Sequence, residues 1–470
     1  MRTTLWAIAL LTLTMGCKQA PKEAAEADPW AAMTGILANI QPPVFPDKDF
    51  VITDFGAVAD GATDCLPAIR QAIEKCNVEG GGRVVIPAGE YLANGPIHLK
   101  SNVNLHVSEG ATVRFSVNPK DYLPVVHTRW EGVECMNYSA LIYAYEQENI
   151  GITGKGTLDG QADNTNWWPW SGGRGYGWSE GVPSQKDSLC RPRLYALNQA
   201  EAPLEERVFG EGGYLRPNFI QPYRCKNVLI QGVTVKNSPM WVTHPALCEN
   251  VTVDGITVIS HGPNSDGCDP ESCKNVLIKN CFFDTGDDCI ALKSGRNQDG
   301  RRFNAPIENV IVRDCEMKDG HGGVVIGSEV SGGARNIFAE NCNMDSPNLE
   351  RAIRVKTNKT RGGVIENLFF RNITVGEVKE AVVRVNMHYS IFSDTTVVYI
   401  PTIRNIYVEN VTSKKSKYGL LIDGYDAEHP VSGLHLKNCR FDGVEKGNSV
   451  KFAVDQAYLG LYVNGEVVVE

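Results

Sequence analysis

No stretch of this chain is apolar enough, for long enough, to cross a bilayer as a helix. The longest run, residues 5–15 (LWAIALLTLTM), has about eleven apolar or small residues, where a spanning helix needs about twenty. Positive charge is also short: 46 Lys and Arg stand against 55 Asp and Glu, a formal net charge of −9. That balance argues against non-specific binding to nucleic acid or anionic membranes. An anionic ligand would have to be held by local cations. No His/Cys set has metal-ligand spacing, so neither metal nor other cofactor is expected. Helical periodicity is scarce; most of the chain alternates with period two.

The N-terminus has an export pattern. Arg2 precedes the apolar run, which stops at Gly16-Cys17. This resembles a bacterial lipoprotein signal with Cys17 as the lipidated residue, although Thr14 stands where Leu is usual. The expected organisation is a signal over 1–17, a flexible tether over 18–45 and a single domain over 46–470. A monomer is expected, exported and touching a membrane only through its lipid anchor. The anchor belongs to the bacterial outer membrane, periplasmic or surface-facing.

One phrase recurs through the domain: Asn, a hydrophobic alternation, then Cys, Val or Ile. It appears as KNVLIQGVTV, ENVTVDGITV, KNVLIKNCFF, ENVIVRDCEM, RNIFAENCNM, ENLFFRNITV and RNIYVENVTS. The leading residues are Asn227, Asn250, Asn275, Asn309, Asn336, Asn367 and Asn405, at gaps of 23, 25, 34, 27, 31 and 38. Short strands repeating above every twenty residues predict an all-β parallel β-helix, one coil per repeat. A β-propeller would need about forty residues per unit. Six positions after each Asn stand Val233, Ile256, Cys281, Cys315, Cys342, Ile373 and Val411, so Cys there behaves as a small buried hydrophobe. Cys268 and Cys273 are close enough for a local disulfide. Residues 65–76 have helical spacing, with Asp64 as N-cap, and would cap the open end of the coil stack. Residues 161–224 interrupt the repeat with Trp167, Trp168, Trp170 and Trp178. They form either a packed flap or a cleft wall with a sugar-stacking Trp.

Four strings carry chemistry: N-S-D at 264–266, G-D-D at 286–288, G-H-G at 320–322 and R-V-K at 354–356. Aligning DDCIALKS over HGGVVIGS over ERAIRVKT puts His321 beside Asp287, with Arg354 and Lys356 one coil further. Asp266 precedes Asp287 by about one coil, and Lys293 shares the strand position of Lys356. Strands in a sheet are about 4.8 Å apart, so these residues should gather on one side of adjacent coils. An Asp-Gly pair, an Asp-Asp pair or a His between glycines is each, alone, an ordinary turn. Together, clustered carboxylates force at least one pKa upward and supply one protonated and one ionised group, as glycoside hydrolysis requires. The cations would hold a substrate carboxylate.

These strings resemble the N-T-D, D-D, G-H-G and R-I-K pattern of glycoside hydrolase family 28, the polygalacturonases and their relatives. The FGAVADG…GGGRVVIPAGEY opening resembles that of bacterial members. Ser265 replaces Thr, and Val355 replaces Ile. The resemblance implies a right-handed parallel β-helix with a short N-terminal capping helix. It also implies metal-independent, inverting hydrolysis of α-1,4-galacturonosyl linkages in pectic polysaccharide or oligogalacturonides. Asp287 would be the general acid, Asp266 and Asp288 would activate water, and His321 would tune the acid. Arg354 and Lys356 would bind the galacturonate carboxylate. Lys293 joins them as a binding residue on phasing alone. Inversion predicts carboxylates about 6.5–9.5 Å apart. An insertion closing one end of the cleft favours exo action. The rivals are a rhamnogalacturonan hydrolase of the same family, a calcium-dependent pectate lyase and a non-catalytic polysaccharide-binding β-helix.

Overall fold

The computed structural model describes residues 30–391 and 397–469. The signal over 1–17, with Cys17, and residues 18–29 of the expected tether lie outside the described residues. The rest is a parallel β-helix. The coils give strands to a 25-stranded sheet that forms two faces; the third face is a three-stranded sheet in the first coils and a six-stranded sheet in the later ones. The third face runs through Ile290–Leu292, Val324–Gly327, Arg351–Lys356, Ala381–Asn386, Tyr418–Asp423 and Ser449–Lys451, and it floors the cleft.

Period-two alternation fixes which side chains turn inward. Val276 and Ile278, Val310 and Val312, and Val383 and Val385 are all buried in the interior. Cys281, Cys315 and Cys342 stack there as expected. The suggested Cys268–Cys273 bridge is not present: both thiols are free, and Cys273 accepts the backbone N–H of Cys248 instead. All thirteen described cysteines are buried and free. They fill volume inside the coils, where a thiol serves as a compact hydrophobe.

The leading Asn residues turn the corners. Asn227, Asn250, Asn275, Asn309, Asn336, Asn367 and Asn405 all have φ between 54° and 60°. In that left-handed region Asn is tolerated far better than most L-residues. Their amides form a ladder: Asn309 donates to Asn275 (3.1 Å), Asn336 to Asn309 (3.1 Å) and Asn405 to Asn367 (3.0 Å).

Helix α2 (Leu66–Val78) closes the N-terminal end of the stack, burying Leu66, Ile69 and Ile73. The Asp64 carboxylate accepts from Leu66 N and from Asn94 N (both 3.0 Å), so it fixes the helix start to the neighbouring strand.

The described part of the expected tether is not extended. Residues Ala31–Asn39 form helix α1, which lies on the outside of the coils. Trp30, Met33, Ile36 and Ile40 bury themselves against Ile311, Phe338 and Phe369. The reason lies in the outer face: Phe338, Phe369, Tyr407 and His435 stack at 4.7–5.0 Å, an apolar row that needs a cover. Gln41 then exchanges backbone hydrogen bonds with the Asn250 side chain (3.0 and 2.7 Å).

Candidate active site

The strand register is the one the sequence alignment implied. Ile290 pairs with Val324, and Val324 with Ile353. Lys356 pairs with Gly327, two coils from Lys293 at the same strand position. Asp266, Asp287 and Asp288 each place one carboxylate oxygen within 4.8 Å of the others. That is shorter than the separation of about 6.5–9.5 Å expected for an inverting pair. The cause is the coil spacing itself, since the backbone just after Asp266 pairs directly with Asp288: Gly267 N donates to Asp288 O (2.9 Å).

His321 Nδ1 lies 2.9 Å from Asp287 Oδ1, which also accepts Asp288 N (3.0 Å). Burial alone would raise the Asp287 pKa, but the His321 charge and hydrogen bond hold it well below the usual carboxylate range. The same Asp287 charge lifts His321 to about 9. Asp266 goes the other way. Burial first, then the Asp287 charge, raise it to about 8, against the pull of Lys293. Its Oδ1 has no hydrogen-bond partner among the described residues, and its Oδ2 is 3.4 Å from Lys293 Nζ. At neutral pH burial therefore favours the protonated form of Asp266, and of its neighbour Asp269 as well, while Asp287 is ionised against an imidazolium.

Asp288 is fully buried between two cations, Lys356 Nζ at 2.5 Å and Arg354 Nη1 at 3.2 Å. The G-H-G glycines make this approach possible. A Cβ on Gly322 would sit 2.5 Å from the Val325 side chain, 3.4 Å from Asp288 Oδ1 and 3.5 Å from Arg354 Cδ, and one on Gly320 would sit 2.7 Å from Asp287 O.

Several contributors escaped the sequence reading. Asp269, fully buried, lies 3.8 Å from Lys293 and has no hydrogen bond to either carboxylate oxygen among the described residues. Lys293 is thus held among Asp266, Asp269 and Glu329 (3.4 Å) and stands 4.4 Å over the Trp241 ring. Arg216, buried in the insertion, donates to Pro263 O (2.6 Å) and Asn264 Oδ1 (2.7 Å), which fixes the N-S-D turn. Only Asp269 left a signal, three residues past Asp266 in the same turn.

One end of the site is walled. The antiparallel hairpin of Val126–Trp130 and Val133–Asn137 brings Glu131 and Gly132 over it. Helix α3 (Arg191–Gln199), inside the insertion, brings Arg191, and Arg296 rises from the end of the Ile290 strand. Arg296 clamps the wall: its N donates to Gly132 O (2.9 Å), and its guanidinium bridges Glu131 O (2.9 Å) and Glu329 (2.6 Å). Tyr195 closes the ring on the Glu131 carboxylate. The insertion is therefore a wall, but its indoles build it and do not line the pocket. Trp167 is buried against Tyr122 and Trp170, Trp168 donates to Ser238 O, and Trp178 donates to Val182 O. The indole lining the pocket is Trp241, outside the insertion.

The chain was compared with known proteins. Residues 209–457 match the glycosyl hydrolases family 28 pattern. Residues 50–109 match a rhamnogalacturonase A/epimerase, pectate lyase-like pattern. The crystal structure of a hyperthermoactive exopolygalacturonase from Thermotoga maritima superposes with a TM-score of 0.88 at 45% identity, covering 92% of this chain and 96% of that one. A family 28 exopolygalacturonase from Yersinia enterocolitica gives a TM-score of 0.69 at 25% identity, covering 89% and 76%. A probable polygalacturonase from Vitis vinifera is 27% identical over 413 residues, 85% of this chain and 75% of that one. The coils, the four strings in one cluster and these matches converge: the fold is a right-handed parallel β-helix, and the chain belongs to glycosyl hydrolases family 28.

Proposed function

We propose that this protein is a polygalacturonase that removes galacturonate from one end of a pectic chain by inverting hydrolysis. The observation that carries the reading is the paired Asp287 and His321, 2.9 Å apart, facing Asp266 at the mouth of a walled pocket. The wall leaves room for a chain end and obstructs a chain passing through, which favours exo action. The two exopolygalacturonases that superpose on the chain support the same choice.

In the resting site one proton is held by Asp266 while Asp287 is ionised. Substrate reverses this. A glycosidic oxygen beside Asp287 accepts a hydrogen bond only from the protonated acid, and a water attacking between Asp266 and Asp288 needs an ionised carboxylate to take its proton. The proton therefore moves to Asp287, with His321 holding its carboxylate in place. Asp287 protonates the leaving oxygen as the bond from that oxygen to the anomeric carbon breaks. Water attacks the opposite face, and its proton passes to Asp266 or Asp288. Arg354, Lys356 and Lys293 hold the galacturonate carboxylate; their charge balances the anion that the protein's overall charge would repel. The lipid anchor read from residues 1–17 would tether the enzyme to the membrane facing its polymer.

The short carboxylate spacing favours a second reading, since nearest oxygens within 4.8 Å approach the roughly 5–5.5 Å of retaining enzymes. Proton NMR of the first product formed from polygalacturonate decides between them: inversion yields the β-anomer first. Chromatography of the same digest should give a small uronide with no ladder of intermediates and no ultraviolet-absorbing unsaturated product. A ladder would refute exo action. Unsaturated product, or full activity in Asp287→Asn, would refute hydrolysis at this site.

A further inference from the structure

The cationic row on the cleft floor does not stop at Arg354. In the next coil Arg384 is its direct register partner, flanked by Val383 and Val385, which point inward as Ile353 and Val355 do. Residues paired across neighbouring parallel strands share a face, so Arg384 lies on the cleft side about 4.8 Å beyond Arg354, away from Asp266. Its circumstances differ from those of its neighbours. Arg354 is engaged with Asp288, and Arg351 with Glu350 and Glu380. Arg384 forms no ion pair among the described residues; its guanidinium donates to two carbonyls, Val385 O and Leu421 O (3.0 Å). It is half-buried, and burial lowers its pKa against the opposing charges of Glu380 and Asp423, with Arg351 and Arg354 adding to the fall. Glu380 and Asp423 act on it from a distance, but neither pairs with it directly, so a half-buried cation beside two other arginines gains from an anionic ligand brought into contact.

We propose that Arg384 binds a uronate carboxylate at a subsite one coil beyond Arg354, gripping the part of the polymer outside the walled pocket. A hexuronate ring is about as long as one coil step, so a chain along the stack would bring a later carboxylate to this position. The proposal rests on the galacturonate reading above and adds a subsite to it. The enzyme would then favour longer chains over the shortest ones it cuts.

The test is a chain-length series from 4-nitrophenyl galacturonide, which carries a single uronate, to hexagalacturonate with the wild type, Arg384→Gln and Arg384→Lys. Arg384→Gln should leave kcat and KM on the shortest substrate unchanged. On the hexamer its KM should rise on the order of tenfold with kcat held, as loss of one charge-assisted hydrogen bond implies. Arg384→Lys, keeping the charge, should recover part of that loss. A purely structural role through Leu421 O would lower thermal stability and depress activity equally at every length; that result, or no change at any length, overturns the proposal. A wild type that neither binds nor cuts any oligogalacturonate overturns the proposed function together with this subsite. A wild type that cuts while the variant shows no length dependence overturns the subsite alone.

Discussion

Replacing Asp266 by Asn is expected to abolish hydrolysis and yet stabilise the protein, by an amount that grows with pH. The carboxyl titrates near 3.8 in an unfolded chain and near 8 in the folded one. Between those values the folded state holds a proton that the unfolded state has released, so stability falls as pH rises. At 1.36 kcal/mol per unit, the difference from 3.8 to neutral pH amounts to up to about 4 kcal/mol, and it vanishes below about pH 4. Asn has nearly the shape of the protonated acid and carries no such cost. It leaves Lys293 paired with Glu329 (3.4 Å), so the cation is not stranded. Urea denaturation of both proteins at pH 4, 6 and 8 measures the difference directly. The curves should coincide at the lowest pH and separate progressively, with the variant the more stable. A variant no more stable than the wild type at pH 8 would show that Asp266 is ionised in the folded protein, and the resting proton assignment would fail.

Three further outcomes follow from the same geometry. His321→Ala should lower kcat on the order of a hundredfold, within the usual range for an acid–base partner. It should also remove the higher step in the loss of activity, at about pH 9 where His321 loses its proton, and leave the earlier fall through about pH 8 where Asp266 loses the site's proton; a pH–rate profile reports both. Asn309→Ala keeps φ +57° without the side chain that suits it and breaks the ladder to Asn275 and Asn336, so urea unfolding should show a loss of about 2–3 kcal/mol. Trp30→Ala uncovers Phe338 and Phe369 and should lower the unfolding temperature while leaving kcat unchanged, because α1 lies outside the coils and away from the cleft.

Much of the site was legible because the fold is a repeat. Aligning three short strings gave the register of Ile290, Val324 and Ile353, and with it the neighbours of Asp287. Charge state was not legible. Whether a carboxyl holds a proton depends on burial and on distances of a few ångströms, such as the 2.9 Å between His321 and Asp287. The insertion was legible as a possible wall of the cleft, but the residues that build the wall were not. Glu131, Arg191 and Arg296 come from a hairpin, an insertion and a strand end that share no phase, and they meet only in three dimensions. Helix α1 hid for a different reason. Its own residues look like a linker, and the evidence for it lies in Ile311, Phe338 and Phe369, apolar residues at outward positions some three hundred residues away. Sequence spacing also gave no warning that the carboxylates would sit closer than an inverting pair is expected to.

The asparagine corners have a consequence for how such a protein can change. Nearly every coil makes its own bend and shares an amide with its neighbour, so the length of chain between two bends is free to vary. Here it ranges from 23 to 38 residues between successive Asn, with Asn149 and Asn227 joined across the whole wall-forming excursion by a 2.9 Å bond. The scaffold behaves like a bound ledger into which leaves can be inserted without disturbing the spine. Cleft shape, and with it the choice between biting a chain at its end or in its middle, can be rewritten in one loop while the catalytic register stays as it is.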